Sequence, residues 1–440
     1  MGYRMHRGPW AKGGMMLAAV IGLAAGAAAV WAQGIPGDCS GDGTVTVDEL
    51  IIGVNIALGS APLSSCPSFD IDGDGQVTVD ELIVAVNVAL VGVTPTPTPT
   101  GTPAPEQFAF VIATDFQTGS FGTVTLDEPR MVTQASPSRL LNNDAVARTY
   151  DGLVYVINRF GADNIQVLDP ANNFATKLQC STGAGSNPND IAFVNSTKAY
   201  VTLYAGASLL IVNPSAHADC SDFVVGLVDL SAYADSDGIP DMNQLVVLGD
   251  RVYVSLQRLT NFMPSEPGAI AVIDTTTDTA INVITLTGEN PFGQTKGLPV
   301  YNGAIVVAEV GKFGMNDGGL ERVDLSSQTA QGFFVTEADL GGDITDFVLV
   351  SDHLGYALVE KPDSTISLVA FDPVTATVTQ TLISGGNLSD IELDDRNELF
   401  VADRDISKPG IRIFRASDGT ELTSGTLDLG LPPFDIVFVR

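Results

Sequence analysis

Histidine is nearly missing from this sequence, with three in 440 residues, and only His217 and His353 lie beyond the first 32 positions. Both fall in turn-like stretches, which argues against a histidine base or a histidine metal centre. Basic residues are scarce as well, 21 against 52 acidic. Such a chain repels nucleic acid and anionic membranes. Cys-x-x-Cys pairs, a Gly-x-Ser-x-Gly elbow and a glycine-rich phosphate loop are all lacking, which removes three common catalytic templates. The longest apolar run, Met15 to Val30, is short for a bilayer span.

That run has another reading. Arg4, Arg7 and Lys12 precede it, and Val30-Trp31-Ala32 places small residues where a signal peptidase cuts. Residues 1–32 are therefore expected to be a signal peptide, giving a secreted, cell-surface or periplasmic chain with no membrane insertion after cleavage. Loss of those three cations leaves 18 minus 52, a net charge of −34. This acidity favours cation binding or simply keeps an exported protein soluble. Four cysteines in an oxidising compartment allow two disulfides, and sequence proximity favours Cys39 with Cys66 and Cys180 with Cys220.

Two near-copies follow the leader: "DCSGDGTVTVDELIIGVNIAL" from Asp38 and "DIDGDGQVTVDELIVAVNVAL" from Asp70. In the second, Asp70, Asp72, Asp74 and Glu81 occupy loop positions 1, 3, 5 and 12, with Gly75 at 6 and Gln76 at 7. Oxygen ligands at that spacing wrap a Ca²⁺ ion, a glycine allows the sharp turn, and a long carboxylate closes the shell. The first copy matches with Asp38, Ser40, Asp42, Thr44 and Glu49. Its serine makes it the weaker of the two expected Ca²⁺ sites.

Each loop leads into one apolar helix and neither is preceded by one. That arrangement resembles the dockerin repeat, over residues 34–92. The resemblance implies calcium binding. Dockerins usually close the loop with Asp and place small hydroxyl residues at positions 10 and 11. Here Glu49 and Glu81 close the loops, with Val47, Asp48, Val79 and Asp80 at those positions, so calcium binding carries over well and cohesin recognition poorly. The helices are apolar on nearly every face, which suits either a tiny core stapled by Ca²⁺ and a disulfide or a docking face for an extracellular protein.

Residues 93–106, "VTPTPTPTGTPAPE", read as a Pro-Thr linker. Beyond it, from 107 to 440, a strand ending in Asp or Asn recurs: "NIQVLD", "SLLIVN", "AIAVID", "GLERVD", "SLVAFD". A second strand precedes each one ("VYVIN", "AYVTL", "VYVSL", "IVVAE", "GYALV", "LFVAD"), and a third comes before that. The repeat and its turn signals predict a mainly β, seven-bladed β-propeller closed by the C-terminal strand, with the small helical module ahead of it. The pattern resembles the YVTN-type and lactonase-like propellers, a fold that hosts many functions.

One position opens each innermost strand: Asp144, Asp190, Asn243, Lys296, Asp346, Asp390 and Asp435. The recurrence favours a scaffold role, each Asp accepting backbone N–H groups of the next blade. Residues just past the second strands differ from blade to blade and form the candidate ligand set with Lys296: Arg159, Arg258, Glu309, Glu360, Asp403 and Arg404. Mixed charge of this kind suits an acidic or carbohydrate-related ligand. Asp235, Asp237 and Asp241 around Gly238 are a candidate third Ca²⁺ turn. The sequence thus reads as a secreted, calcium-binding, non-catalytic adaptor. The alternative is a metal-assisted, lactonase-like hydrolase working in the channel.

Overall fold

The computed structural model describes residues 35–40, 44–71, 75–91 and 107–440, which fall into two separate compact units. The expected signal peptide, the linker, and the loop residues Asp42, Asp72 and Asp74 lie outside the described residues.

In the leading unit, helices α1 (Val47–Ala57) and α2 (Val79–Val91) pack around a core of Ile56, Cys66, Phe69, Val77 and Ala85. A side chain at Gly53 would sit 2.4 Å from the Phe69 ring, so the helix carries glycine where the aromatic crosses it. Cys39 and Cys66 are bonded, with Cα atoms 4.9 Å apart. Five buried apolar side chains among the described residues are few for independent stability, which is why a disulfide matters here. Val47, Ile51 and Val54 of α1, and Val79, Ile83 and Val86 of α2, stay exposed in matching positions of the two copies.

The second unit is a ring of seven antiparallel blades. Blade 1 joins both ends of the unit: Pro433–Val439 is its inner strand, paired with Phe108–Thr114, followed by Gly119–Thr125 and Val132–Thr133. Blades 2 to 7 have inner strands Ala145–Tyr150, Pro188–Asn195, Met242–Leu248, Val300–Tyr301, Asp343–Ser351 and Leu388–Leu393. Blade 7 has three strands, and its outer edge makes only the isolated bridges Ile411–Leu427 and Phe414–Glu421. Second strands such as Leu153–Asn158 are buried on both faces, because blades stack on each side of them. Hence they read as continuous apolar runs rather than alternating ones.

The strand-ending Asp has a local cause. Asp274 Oδ1 accepts the amides of Thr276 and Thr277 at 2.8 and 2.9 Å, and Asp324 and Asp372 do the same for the two amides beyond them. Each carboxylate holds the tight turn into the outer strand. The second disulfide, Cys180–Cys220, ties the outer strand of blade 2 to the turn region of blade 3.

Candidate functional site: the channel and its two ends

The inner-strand Asp residues bond blade to blade. Asp435 Oδ2 accepts Ala147 N–H at 2.7 Å, Asp190 Oδ2 accepts Leu245 N–H at 3.0 Å, Asp346 Oδ2 accepts Ile391 N–H at 2.9 Å, and Asp390 Oδ2 accepts Ile436 N–H at 2.7 Å. Asn243 does likewise with Gly293 N–H at 3.0 Å. A register irregularity falls at this point in blades 1, 3, 4, 6 and 7. The bulge turns the polar side chain along the ring, out of the pleat.

The two remaining junctions use cations. Arg148 of blade 2 places Nε 2.8 Å from Asp190 of blade 3. Lys296 Nζ lies 2.9 Å from Asp346 and donates to the carbonyls of Ile391 and Phe347 at 2.6 and 3.3 Å. Asp144 departs from the ring: its Oδ1 takes both Nε and Nη2 of Arg159, at 2.8 and 2.6 Å.

Lys296 belongs to a segment that closes the channel. Gln294 O accepts from Arg159 of blade 2 at 3.1 Å, and Thr295 O accepts from Arg148 of blade 2 at 2.6 Å. Thr295 Oγ1 donates to Asp390 of blade 7 at 2.7 Å, and Lys296 O accepts from Gln244 of blade 4 at 2.7 Å. Residues 293–297 thus bond to blades 2, 4, 6 and 7 together, which requires them to cross the channel axis. A side chain at Gly293 would overlap the Gln244 amide at 1.9 Å, so only glycine lets the backbone pass. Lys296 stands where the repeat otherwise has Asp or Asn, and the Pro291-Phe292-Gly293 break ahead of a shortened inner strand is the sequence signal of this plug.

Charge at the plug is uneven. Arg148 and Lys296 face Asp190, Asp346, Asp390, Asp435 and Glu392. Burial pushes the Asp435 carboxyl up to about 7 against the pull of Arg148. Burial, then the neighbouring Asp346 and Glu392, hold Asp390 well above the usual carboxylate range. The two cations are buried too, yet their acidic neighbours hold both above their ordinary values.

Beyond the plug the channel opens into a basin. One lobe of about 350 Å³ runs along Lys296, Leu298, Val300, Phe347 and Leu349, and another of about 690 Å³ along Arg148, Tyr150, Val437 and Val439. Glu392 and Leu393 border both.

The other end carries the loops from second to third strands. Five of them expose large apolar tips: Phe116, Phe160, Phe262 with Met263, Phe313 with Met315, and Ile406. Ile406 is 95% exposed, Phe262 82% and Phe160 76%. In a ring of like-oriented antiparallel blades these loops share one face.

The candidate ligand set is spread out. Arg159 and Arg404 both stack near Phe434, at 5.6 and 5.5 Å from its ring, and Arg404 also covers Phe116 at 4.6 Å. Arg404 donates to the carbonyls of Pro433 and Thr114 at 2.8 and 3.0 Å. Arg258 donates to Tyr233 O at 2.9 Å, and Asp403 Oδ1 accepts Asp405 N–H at 3.0 Å. Burial raises the Glu360 carboxyl, with Asp343 adding to it. Glu309 is sealed inside blade 5, where burial first and then the facing Glu321 push its carboxyl up to about 10. Glu321 takes the donors of this pair, accepting from Thr287 N, Thr287 Oγ1 and Gly332 N at 2.8, 2.5 and 2.6 Å.

Asp235 accepts hydroxyls of Thr260 and Ser265, and Asp241 accepts Leu259 N–H at 2.7 Å. These bonds fasten the inserted hairpin Leu259–Thr260 and Met263–Pro264. Among the described residues no three His, Cys, Asp or Glu side chains cluster to hold a metal ion.

In the leading unit, Gly75 at φ +87° donates its N–H to Asp70 Oδ2 at 3.0 Å, folding the loop back over its first residue. Asp70 Oδ1 is buried with no hydrogen-bond partner among the described residues. An orphaned carboxylate oxygen at loop position 1, among all-oxygen donors, fits a Ca²⁺ ion. Glu49 and Glu81 also fill a second role. Glu49 Oε2 accepts Thr46 N–H and Glu81 Oε2 accepts Thr78 N–H, at 2.8 and 2.7 Å, while their Oε1 atoms accept the Cys39 and Ile71 amides at 2.9 and 2.7 Å. The Thr-x-x-Glu spacing is a capping box, a signal present in the sequence but not read there. The backbone amide of Thr46, the largest influence, brings Glu49 down to about 2.

No protein-family model matches the chain, and no curated protein matches it. Solved structures do resemble it. AztD from Citrobacter koseri is 12% identical over 76% of this chain and 98% of its own, with a TM-score of 0.46. A functionally unknown protein from Desulfotomaculum acetoxidans DSM 771 is 13% identical over 76% and 99%, with a TM-score of 0.47. Kuenenia stuttgartiensis hydrazine synthase is 13% identical over 60% and 74%, with a TM-score of 0.45. Likeness this remote carries no function across.

Proposed function

We propose that this chain is an exported, non-catalytic binding protein that docks a partner on the loop-tip face of its propeller. The observation that carries the reading is the set of exposed apolar tips on five of seven equivalent loops. Apolar tips held out in water on one face mark an interaction surface. The two disulfides support an oxidising compartment. The channel beneath is occupied by the plug, and its recurring Asp residues are committed to blade contacts, consistent with a scaffold. The hydrolase alternative asks for Glu309 in the channel, and Glu309 lies sealed against Glu321.

The leading unit is the calcium-dependent part of this reading. Asp38, Ser40, Asp42, Thr44 and Glu49 would hold one ion, and Asp70, Asp72, Asp74, Gln76 and Glu81 the other. Bound calcium supplies the charge centre about which each loop orders.

Photocrosslinkers at positions 160, 262 and 406 of the full chain, exposed to the native exported fraction, test the docking face. All three are expected to label one common partner, while a crosslinker at Val374, exposed in a turn from third to fourth strand, is not. Equal labelling from position 374 would sink the assignment.

A further inference from the structure

We infer that the basin below the plug is a second, separate site, and that it takes an organic cation: a primary or secondary ammonium carried on an apolar body. The reasoning starts from which floor groups are still open. Lys296 Nζ lies 2.9 Å from Asp346 and donates to the carbonyls of Ile391 and Phe347. Asp190, Asp346, Asp390 and Asp435 each accept a backbone N–H of the next blade and are nearly inaccessible. Glu392 differs from all of these. Its side chain is 26% exposed, it borders both lobes, and its Oε1 pairs with Lys296 Nζ at 3.5 Å. It is the floor carboxylate whose surface reaches into the basin, where a guest can meet it.

The field selects the sign of that guest. Five carboxyl groups face two cations around the plug, an acidic excess; burial first and then Asp346 raises Asp390, and burial raises Glu392 against the pull of Lys296. An anion entering here meets that same field; an ammonium relieves it. The walls select the rest. Leu298, Val300, Val348, Leu349, Val437 and Val439 give the lobes apolar stretches between the charged Arg148, Asp151, Lys296 and Arg440, a wall against which a hydrocarbon body can pack. Combined lobes of about 350 and 690 Å³ suit a molecule of amine-drug size or smaller.

This site is independent of the loop-tip face, so each can fail alone. The test is calorimetric titration of the full chain with phenethylammonium, matched against phenethyl alcohol and 3-phenylpropionate. Phenethylammonium is expected to bind at least tenfold more tightly than either. Glu392→Gln, which keeps size and shape, is expected to weaken it at least tenfold. Val300→Trp, which fills one lobe from its exposed rim, is expected to weaken it by a similar factor with the carboxylate intact. The inference is overturned if the carboxylate binds as well as the ammonium, if Glu392→Gln leaves affinity unchanged, or if no probe binds at millimolar concentration.

Discussion

Asp390 Oδ2 accepts the amide hydrogen of Ile436 at 2.7 Å, and through that bond blade 7 holds the strand that closes the ring. The same carboxylate receives the Thr295 hydroxyl on its other oxygen at 2.7 Å, so ring closure and plug share one side chain. Replacing it tests both. Asp390→Ala leaves a buried amide and a buried hydroxyl without partners, at roughly 1–3 kcal/mol each, whereas Asp390→Asn keeps an acceptor. Urea unfolding at pH 7 is expected to show a loss of roughly 2–5 kcal/mol for alanine and clearly less for asparagine. Equal losses would mean that volume, rather than the latch, sets stability here.

Glu309 makes stability depend on pH with a defined sign. Its folded value is about 10, above the ordinary carboxylate value of 4.5 in the unfolded chain. The folded state therefore holds the extra proton, and stability falls as pH rises from about 4.5 towards 10. Each pH interval of one across such a window corresponds to about 1.4 kcal/mol, so a fraction of this range gives a measurable slope. Glu309→Gln, neutral at every pH, is expected to flatten that decline in thermal midpoints recorded between pH 5 and 9. An unchanged slope would place the titration elsewhere.

The capping box lets one substitution separate folding from calcium. Glutamine completes a capping box about as well as glutamate but ligates calcium poorly. Glu81→Gln in the full chain is expected to keep the helical signal at high calcium while weakening one of two calorimetric sites at least tenfold. Glu81→Ala is expected to lose both. Should Glu81→Gln bind two ions with parental affinity, Glu81 is a cap and nothing more.

Much of this architecture was legible in the chain, and the reasons are local. Strand-ending Asp residues are visible because several third-to-fourth strand turns use the same carboxylate, as at Asp274, Asp324 and Asp372. Asp190, Asp346, Asp390 and Asp435 stood out because four of the seven junctions repeat one solution, an Asp accepting an amide of the next blade. The candidate ligand residues were harder. A position one step past a strand is set by spacing, but its side-chain direction is set by local twist. Thus Arg159 reaches Asp144 at the channel mouth while Glu309 turns into its own blade. The plug was missed because its bonds run to blades distant in sequence, such as Arg148 and Asp390. The apolar loop tips were missed because exposure cannot be told from burial in a short loop.

The Cys180–Cys220 bond offers a simpler test of how blades 2 and 3 are held. It encloses a loop of 40 residues, and cross-links of that span typically contribute about 2–4 kcal/mol. Cys180→Ala with Cys220→Ala is expected to lower the chemical-denaturation midpoint by a corresponding amount while leaving phenethylammonium affinity intact, since neither cysteine borders the basin. A change in that affinity would show that the basin depends on the outer strands.

Lys296 is where the charge balance meets the plug most directly. Its ammonium offsets Asp346 and Glu392 and pins the crossing segment to blades 6 and 7. Lys296→Met keeps much of the length and removes the charge. It leaves five carboxylates facing Arg148 alone, and removing one partner of a buried ion pair costs about 3–5 kcal/mol. The loss should depend on pH in one direction. Asp390 and Glu392 are already raised, the first chiefly by burial and by Asp346, the second chiefly by burial against Lys296. Without Lys296 their folded values rise further, so the mutant's deficit is largest where both would be ionised and shrinks as acid supplies the missing positive charge. Unfolding measured at pH 8 and pH 5 is therefore expected to show the larger gap between parent and mutant at pH 8. A gap of the same size at both values would mean that Lys296 acts by its carbonyl hydrogen bonds and packing, and that the negative field assigned to the basin floor is wrong.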